Sequence, residues 1–279
     1  MKTSTDRVNA KAVMNEYKQR VIADFNSRNN YDNDWRYRFA LPLVELAQLQ
    51  PRQKILDVAT GTGIVATAAA KIVGNDGAVV GVDFSTGMLA QARQKSVAEK
   101  LQNVELIEAD ADDLDFSDNS FDAVLCSSAI AYLTVPACFY QWYHFLKPGG
   151  LVGFSCFAEM AHTASVLFRD KAKAYGISIT NPNQPLGTPK KCKYLLQTAG
   201  FKDIQVVTKQ LGFYLNDAEL AWNANANSAF GCQVFQLPPE KSAQLKAEYI
   251  AEINSLSTDK GLWNDIIAFF VTARKNSYC

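Results

Sequence analysis

Residues 55–63 read Ile55-Leu-Asp57-Val-Ala59-Thr-Gly61-Thr-Gly63, and Asp83 stands twenty positions past Gly63, at the end of Ala78-Val-Val-Gly-Val-Asp83. Glycines let a ligand come close to the backbone, and a carboxylate at that distance along the chain accepts hydrogen bonds from ribose hydroxyls. Strand, glycine turn, helix, strand and terminal carboxylate form the opening βαβ unit of a nucleotide-binding sheet. The ligand therefore carries a ribose. Candidates for proton transfer are few, because the chain has two histidines, His144 and His162. No Ser/His/Asp constellation and no metal-ligand cluster is spaced along the sequence, so no metal is expected.

These groups need a scaffold, and the hydrophobic periodicity supplies one. Residues 6–28 place Val8, Val13, Met14, Tyr17, Val21 and Phe25 at three- and four-residue intervals, which predicts an amphipathic helix. A second helix is expected over residues 35–49, stopping before Pro51. Strands and helices then alternate: strands at 54–58, 78–82, 104–108, 121–126 and 151–157, and helices at 63–73, 85–100 and 135–146. Ser85 is the expected N-cap of its helix, and Lys147-Pro-Gly-Gly150 is expected to be a turn. Such alternation predicts a parallel sheet covered on both faces. After Phe157 the pattern loosens into a helix over 161–175, a Pro-rich loop, a helix capped by Thr188-Pro189 and β-like segments at 201–215 and 266–273. About fifty residues of helical pattern separate those last two segments and are expected to lie over one sheet edge as a cap.

Apolar residues make up 48% of the 279, enough for a large core. Lys plus Arg and Asp plus Glu are 28 each, with no basic run, which excludes a nucleic-acid groove or an anionic membrane surface as the expected partner. Six scattered cysteines without a Cys-x-x-Cys pair suggest reduced thiols. With no apolar leader and no stretch long enough for a membrane span, the expectation is a soluble cytoplasmic protein, monomer or homodimer, without stable membrane insertion.

Gly61-x-Gly63-x-x-Ala66 formally matches a dinucleotide fingerprint, but three features oppose NAD. Asp57 lies four positions ahead of the first glycine, a helical lead of about 50 residues precedes the fingerprint, and the sheet ends in a hairpin-like pair instead of a second βαβαβ half. A ligand without phosphate can share the loop with a carboxylate; a pyrophosphate needs the helix N-terminus to itself.

Over about residues 50–157 the sequence resembles the class I S-adenosylmethionine-dependent methyltransferases, in particular the ubiquinone/menaquinone C-methyltransferase-like group that acts on small molecules. Five motifs in order carry the resemblance: Asp57-Val-Ala59-Thr-Gly61-Thr-Gly63, with alanine in place of the first motif glycine; Val82-Asp83-Phe84-Ser85-Thr-Gly-Met88-Leu89; Glu108-Ala-Asp110-Ala111; Phe121-Asp-Ala-Val-Leu-Cys-Ser127-Ser128; and Leu146-Lys-Pro-Gly-Gly150. The resemblance implies a Rossmann-like fold within one domain over 1–279. N-terminal helices would occupy 1–50 and a cofactor core 51–160. The rest of a mostly parallel seven-stranded sheet, with an antiparallel last strand and a helical cap over about 213–262, would follow in 161–279.

It also implies S-adenosylmethionine as cofactor and a role for each motif residue. Asp83 would accept from the ribose hydroxyls. Gly61 and Gly63 would let the backbone approach the methionine portion, and Ala59 serves in the same turn provided its backbone φ is negative. Asp57 would order the loop and help hold the amino group, or else act as a purely structural cap. Asp110 and the Ala111 backbone would meet the adenine edge, with Phe84 and Met88 on its faces or filling the core. Ser127 would face the crevice. Tyr31 would fold over the sulfonium by cation–π attraction, or pack as a helix-buried tyrosine. His162, near the end of the fifth strand, is the candidate base, with Tyr132 and Glu159 as further candidates near the same mouth and a solvated helix-start histidine as the plainer alternative. The aromatics Tyr17, Trp35, Phe213, Tyr214, Trp222 and Phe230 would roof an apolar acceptor pocket or simply attach the cap. The expected reaction is methyl transfer to an O, N or C atom of a small-molecule acceptor, a secondary metabolite or quinone-like ring. A NAD-dependent oxidoreductase and an inactive methyltransferase-like binding protein are the rival expectations.

Overall fold

The computed structural model describes residues 16–277 and divides into two compact units. One comprises residues 16–29, His162–Thr180 and Phe213–Asn264; the other comprises Asn30–Ala161, Asn181–Gly212 and residues 265–277. In chain order the elements are α1 (residues 16–26), α2 (Asp34–Ala47), β1 (Lys54–Val58), α3 (Ile64–Val73), β2 (Ala78–Asp83), α4 (Thr86–Ala98), β3 (Val104–Glu108), β4 (Phe121–Cys126), α5 (Ala137–Phe145) and β5 (Leu146–Phe157). There follow α6 (Thr163–Ala174), α7 (Pro189–Thr198), β6 (Lys202–Gln210), β7 (Phe213–Leu215), α8 (Ala218–Ala226), α9 (Pro239–Leu256), β8 (Leu262–Asn264) and β9 (Ile267–Arg274). The part of the first predicted helix that precedes residue 16 lies outside the described residues. Among the described residues no helix is long and apolar enough to cross a membrane.

The larger unit carries a seven-stranded sheet in the order β3-β2-β1-β4-β5-β9-β6. Pairings from β3 through β5 are parallel, and β9 runs antiparallel between β5 and β6. The mostly parallel seven-stranded sheet with an antiparallel last strand is therefore present. Alternation along β1 explains its two faces. Leu56 and Val58 point into a core with Phe139 and Trp142 of α5 and Leu196 of α7, while Ile55 joins α2 and α3 on the other side. Both faces are covered, so the strands read as nearly continuous apolar runs.

The structure revises two expected boundaries. Lys147-Pro-Gly-Gly150, expected to precede the fifth strand as a turn, lies inside β5 as an irregularity: Phe121 pairs with Leu146, but Ala123 pairs with Leu151. The extra residues on β5 bulge out, and pairing with β4 resumes beyond them. The β-like segment at 201–215 is two strands. β6 completes the large sheet, whereas β7 pairs antiparallel with β8 in a separate two-stranded sheet of the smaller unit.

That smaller unit has its own core of Phe168, Trp222, Leu245, Tyr249 and Ile253, with the Phe168, Trp222 and Tyr249 rings 5.3–5.7 Å apart. The Tyr249 hydroxyl donates to the Ala164 carbonyl at 3.1 Å, so its polar end is satisfied where it is buried. Trp222 thus belongs to an interior, while Tyr214 pairs edge-on with Trp263 on the exposed β7–β8 ribbon.

Candidate functional site

Strand order reverses on either side of β1, with β2 on one flank and β4 on the other. In open α/β sheets this is where a crevice opens beyond the carboxyl ends of the strands. The carboxyl ends of β1 and β2 there are Asp57-Val58 and Val82-Asp83, and both carboxylates are almost inaccessible, Asp57 at 1% and Asp83 at 6% exposure.

The two acids are held differently. Asp57 accepts the Thr60 hydroxyl at 2.5 Å. Burial pushes its carboxyl up to about 7, against the opposing hydrogen bonds from Thr60 and the Ala66 backbone, and the charge of Asp83 pushes it further the same way. Asp83 accepts from the Ser85 N–H on one oxygen and from the Gly61 N–H on the other, each at 2.8 Å. Burial raises it too, opposed by those backbone N–H groups and that of Phe84. Three backbone N–H groups against the four lone pairs of a carboxylate leave Asp83 with acceptor capacity.

The loop between them is shaped by its backbone. Ala59, Gly61 and Gly63 all have positive φ, at 52°, 56° and 77°. At Gly63 a Cβ would come within 3.0 Å of the Ala92 side chain, so the start of α3 packs on α4 only without one. At Gly61 a Cβ would meet nothing within 4 Å: that backbone faces open space beside Asp83. Ala59 departs from the sequence expectation, which required a negative φ. An alanine held in the left-handed region carries strain of about 1 kcal/mol, and it does so in the middle of the site.

Other expected residues fall around this nucleus. Ser85 caps α4 by accepting the Met88 N–H at 3.1 Å, as its position in sequence indicates. Met88 is buried, and Phe84 is half-buried. Asp110 follows β3 and accepts the Asp112 N–H at 3.0 Å. Ala111, between them, is half-buried against the large core. Asp112 in turn accepts from the Thr134 N–H and hydroxyl, tying the loop after β3 to the loop after β4. Ser127, at the end of β4, donates to the Phe39 carbonyl of α2 at 3.2 Å, so its proton is engaged on that helix. Tyr31 carries the Arg36 guanidinium 4.0 Å above its ring, a protein cation in the kind of contact expected for the sulfonium.

The candidate bases are dispersed. Glu159 is ion-paired with Lys191 at 2.7 Å. His144 is exposed near Asp118 at the end of α5. His162 is the N-cap residue of α6, with φ 65°, and belongs to the smaller unit, whereas the residues expected from sequence to hold the cofactor all belong to the larger one.

The structure adds groups that sequence reasoning passed over. Asp32 accepts a hydrogen bond from the Thr62 hydroxyl and is ion-paired with Lys95 of α4. Ser155 of β5 accepts the Ser128 N–H at 2.8 Å, holding Ser128 at φ 56° just beyond β4. Asp32 adjoins Tyr31 in sequence, which was the available signal. Nothing local marks Ser155.

Comparison with known proteins points the same way. Residues 55–150 match the family model described as a methyltransferase domain. A demethylmenaquinone methyltransferase of Bacillus mycoides is 38% identical over 113 residues, which are 39% of this chain and 46% of that protein. The chain thus spans about half the length of the curated relatives it matches. Among solved structures, Haemonchus contortus phosphoethanolamine N-methyltransferase 2, in complex with S-adenosylhomocysteine, aligns at TM-score 0.54 and 21% identity over 86% of this chain and 53% of that one. An Aquifex aeolicus SAM-dependent methyltransferase aligns at TM-score 0.53 and 15% identity over 91% of this chain and 97% of that one. At these identities the structural likeness is one of fold.

Proposed function

We propose that this chain, a class I methyltransferase by its fold and by residues 55–150, carries a methyl group from S-adenosylmethionine to a small organic acceptor. The observation that carries the reading is the Asp83 carboxylate: nearly inaccessible, oriented by two backbone N–H groups, and placed where the strand order reverses.

The residues present fit this cofactor. Asp83 retains lone pairs for a ribose diol, and Gly61 offers bare backbone facing open space. Asp57, desolvated and held near neutrality in its proton affinity, gains from any cation brought to it, and the methionine portion carries an ammonium. When bound, the cofactor supplies a methyl group on a sulfonium, whose departure as a neutral thioether needs no acid. The protein's share is then to orient the acceptor and keep water out. If the acceptor arrives protonated, a base is required, and His162 is the group we assign to that task.

For the acceptor, similarity to demethylmenaquinone methyltransferases supports a quinone-like ring, with a secondary metabolite of comparable size as the wider class. The oxidoreductase alternative fares worse. A pyrophosphate seated at the α3 N-terminus would lie beside Asp57 and beside Asp32, which already holds Thr62 of that loop.

The test is a transfer assay with methyl-labelled S-adenosylmethionine and a panel of hydroxylated aromatics and reduced quinones. Label in an extractable acceptor product, with equimolar S-adenosylhomocysteine, supports the proposal. Absence of transfer to every class, despite cofactor binding, would leave a binding protein as the better reading.

A further inference from the structure

Segment 30–33, just ahead of α2, makes contacts to both the glycine loop and α4, the two elements that flank Asp83. The Tyr31 N–H donates to Gln91 of α4 at 3.1 Å. Asp32 uses one oxygen for the Thr62 hydroxyl and the other for the Lys95 ammonium, with the Tyr37 hydroxyl 3.5 Å from that second oxygen. Lys95 is only 15% exposed and lies 5.5 Å from the centre of the Tyr37 ring, so its charge is shielded from water and directed at Asp32. Asn33 then starts α2 by accepting the Arg36 N–H.

Thr62 sits between two positive-φ glycines. Glycines lose the most conformational freedom on being fixed, so a loop built from them holds one shape only if something outside it does the holding. Asp32 is such a tether, and charge-assisted bonds of this kind are stronger than neutral ones. Lys95 lies two turns along the helix whose first residues follow Asp83, so the same carboxylate also ties the ribose side of the site to the glycine side.

We propose that Asp32 is a positioning residue: through Thr62 and Lys95 it holds the glycine loop and α4 in binding geometry, and opening of this latch governs cofactor exchange. The second half rests on the function proposed above; the first does not.

Amide hydrogen exchange on the unliganded protein tests the first half. Asp32→Asn should raise exchange by at least about tenfold in residues 59–65, since a charge-assisted bond is exchanged for a weaker neutral one, while protection in β4 and β5 stays as in the wild type. Unchanged exchange in 59–65 overturns the latch, and so does an equal rise throughout the sheet, which marks Asp32 as merely structural. For the second half, stopped-flow displacement of S-adenosylhomocysteine should show a dissociation rate raised at least about tenfold in Asp32→Asn and in Lys95→Met, the double variant being no faster than the worse single one. Asp32→Glu should recover part of the wild-type rate. Equal dissociation rates in wild type and variants overturn it. If Asp32→Asn does not fold, Thr62→Val removes the same bond from the other side and must give the same exchange pattern. A wild-type protein that binds no S-adenosylhomocysteine refutes the proposed function and the exchange role, whereas the latch stands or falls by the unliganded comparison.

Discussion

The Gly61 N–H donates to the Asp83 carboxylate across 2.8 Å, although 22 residues separate them in sequence. This bond joins the turn after β1 to the end of β2, so the acid that would take the ribose also fixes the backbone that would approach the methionine portion. The other Asp83 oxygen takes the Ser85 N–H, and the hydroxyl of Ser85 caps α4. Loop, strand end and helix start are therefore one connected unit.

Replacing Asp83 should abolish tight cofactor binding. Hydrogen bonds to a charged group are worth about 1.5–3 kcal/mol each, so losing two corresponds to about 100-fold or more in affinity. Asp83→Ala should weaken S-adenosylhomocysteine binding by at least that factor in calorimetry, and Asp83→Asn, which keeps one acceptor oxygen, by less. A variant binding within threefold of wild type would remove Asp83 from the site.

Asp57 makes the unliganded protein sensitive to pH. Its folded carboxyl is raised to about 7 from an unfolded value of 3.8, so the folded chain retains a proton there that the unfolded chain has released. Stability from this group is full in acid and is lost as pH rises through about 7. Thermal melts of the unliganded wild type should decline between pH 5 and 8 more steeply than those of Asp57→Asn, roughly the span over which such a group titrates. Cofactor affinity should move the opposite way, rising over the same interval in the wild type, because the ionised form attracts an ammonium. Parallel pH curves for the two proteins would contradict this.

Ala59 is expected to tolerate only smaller side chains. In the left-handed region glycine is unstrained, alanine is strained by about 1 kcal/mol, and a β-branched residue by more. Denaturant melts should therefore order the variants with Ala59→Gly at or above wild type and Ala59→Val lower by about 2 kcal/mol. A valine variant as stable as wild type would show that the turn relaxes to negative φ.

His162→Ala should slow turnover with the Kd for S-adenosylhomocysteine unchanged. An unchanged kcat would return His162 to the role of helix cap.

Much of this architecture is legible in the sequence for a specific reason. Strands buried on both faces must be largely apolar, so 55–58, 79–82 and 121–126 announce themselves, and Asp57, Asp83 and Ser127 lie at their carboxyl ends. What escapes is whatever depends on contacts distant in sequence or on backbone geometry alone. Asp32, Thr62 and Lys95 meet across 30 and 63 positions with no periodicity to link them. Lys147-Pro-Gly-Gly150 has turn composition, yet β5 runs through it, paired with β4 at Leu146 before it and at Leu151 after it. Ala59 is an ordinary residue in an unusual conformation, which composition does not reveal. The choice of candidate base rests on position alone, since His162 has no local signature beyond its place after β5.

The central claim, a site built for a ribose-bearing sulfonium cofactor without a phosphate, is tested most directly by ligand-dependent thermal stabilisation of the purified chain. A ligand at 100 times its Kd stabilises the native state by about 2.7 kcal/mol. S-adenosylhomocysteine should raise the melting temperature in a concentration-dependent way that Asp83→Ala abolishes, while NADH and NAD leave it unchanged. Stabilisation by the nicotinamide cofactors, and none by S-adenosylhomocysteine, would contradict the account.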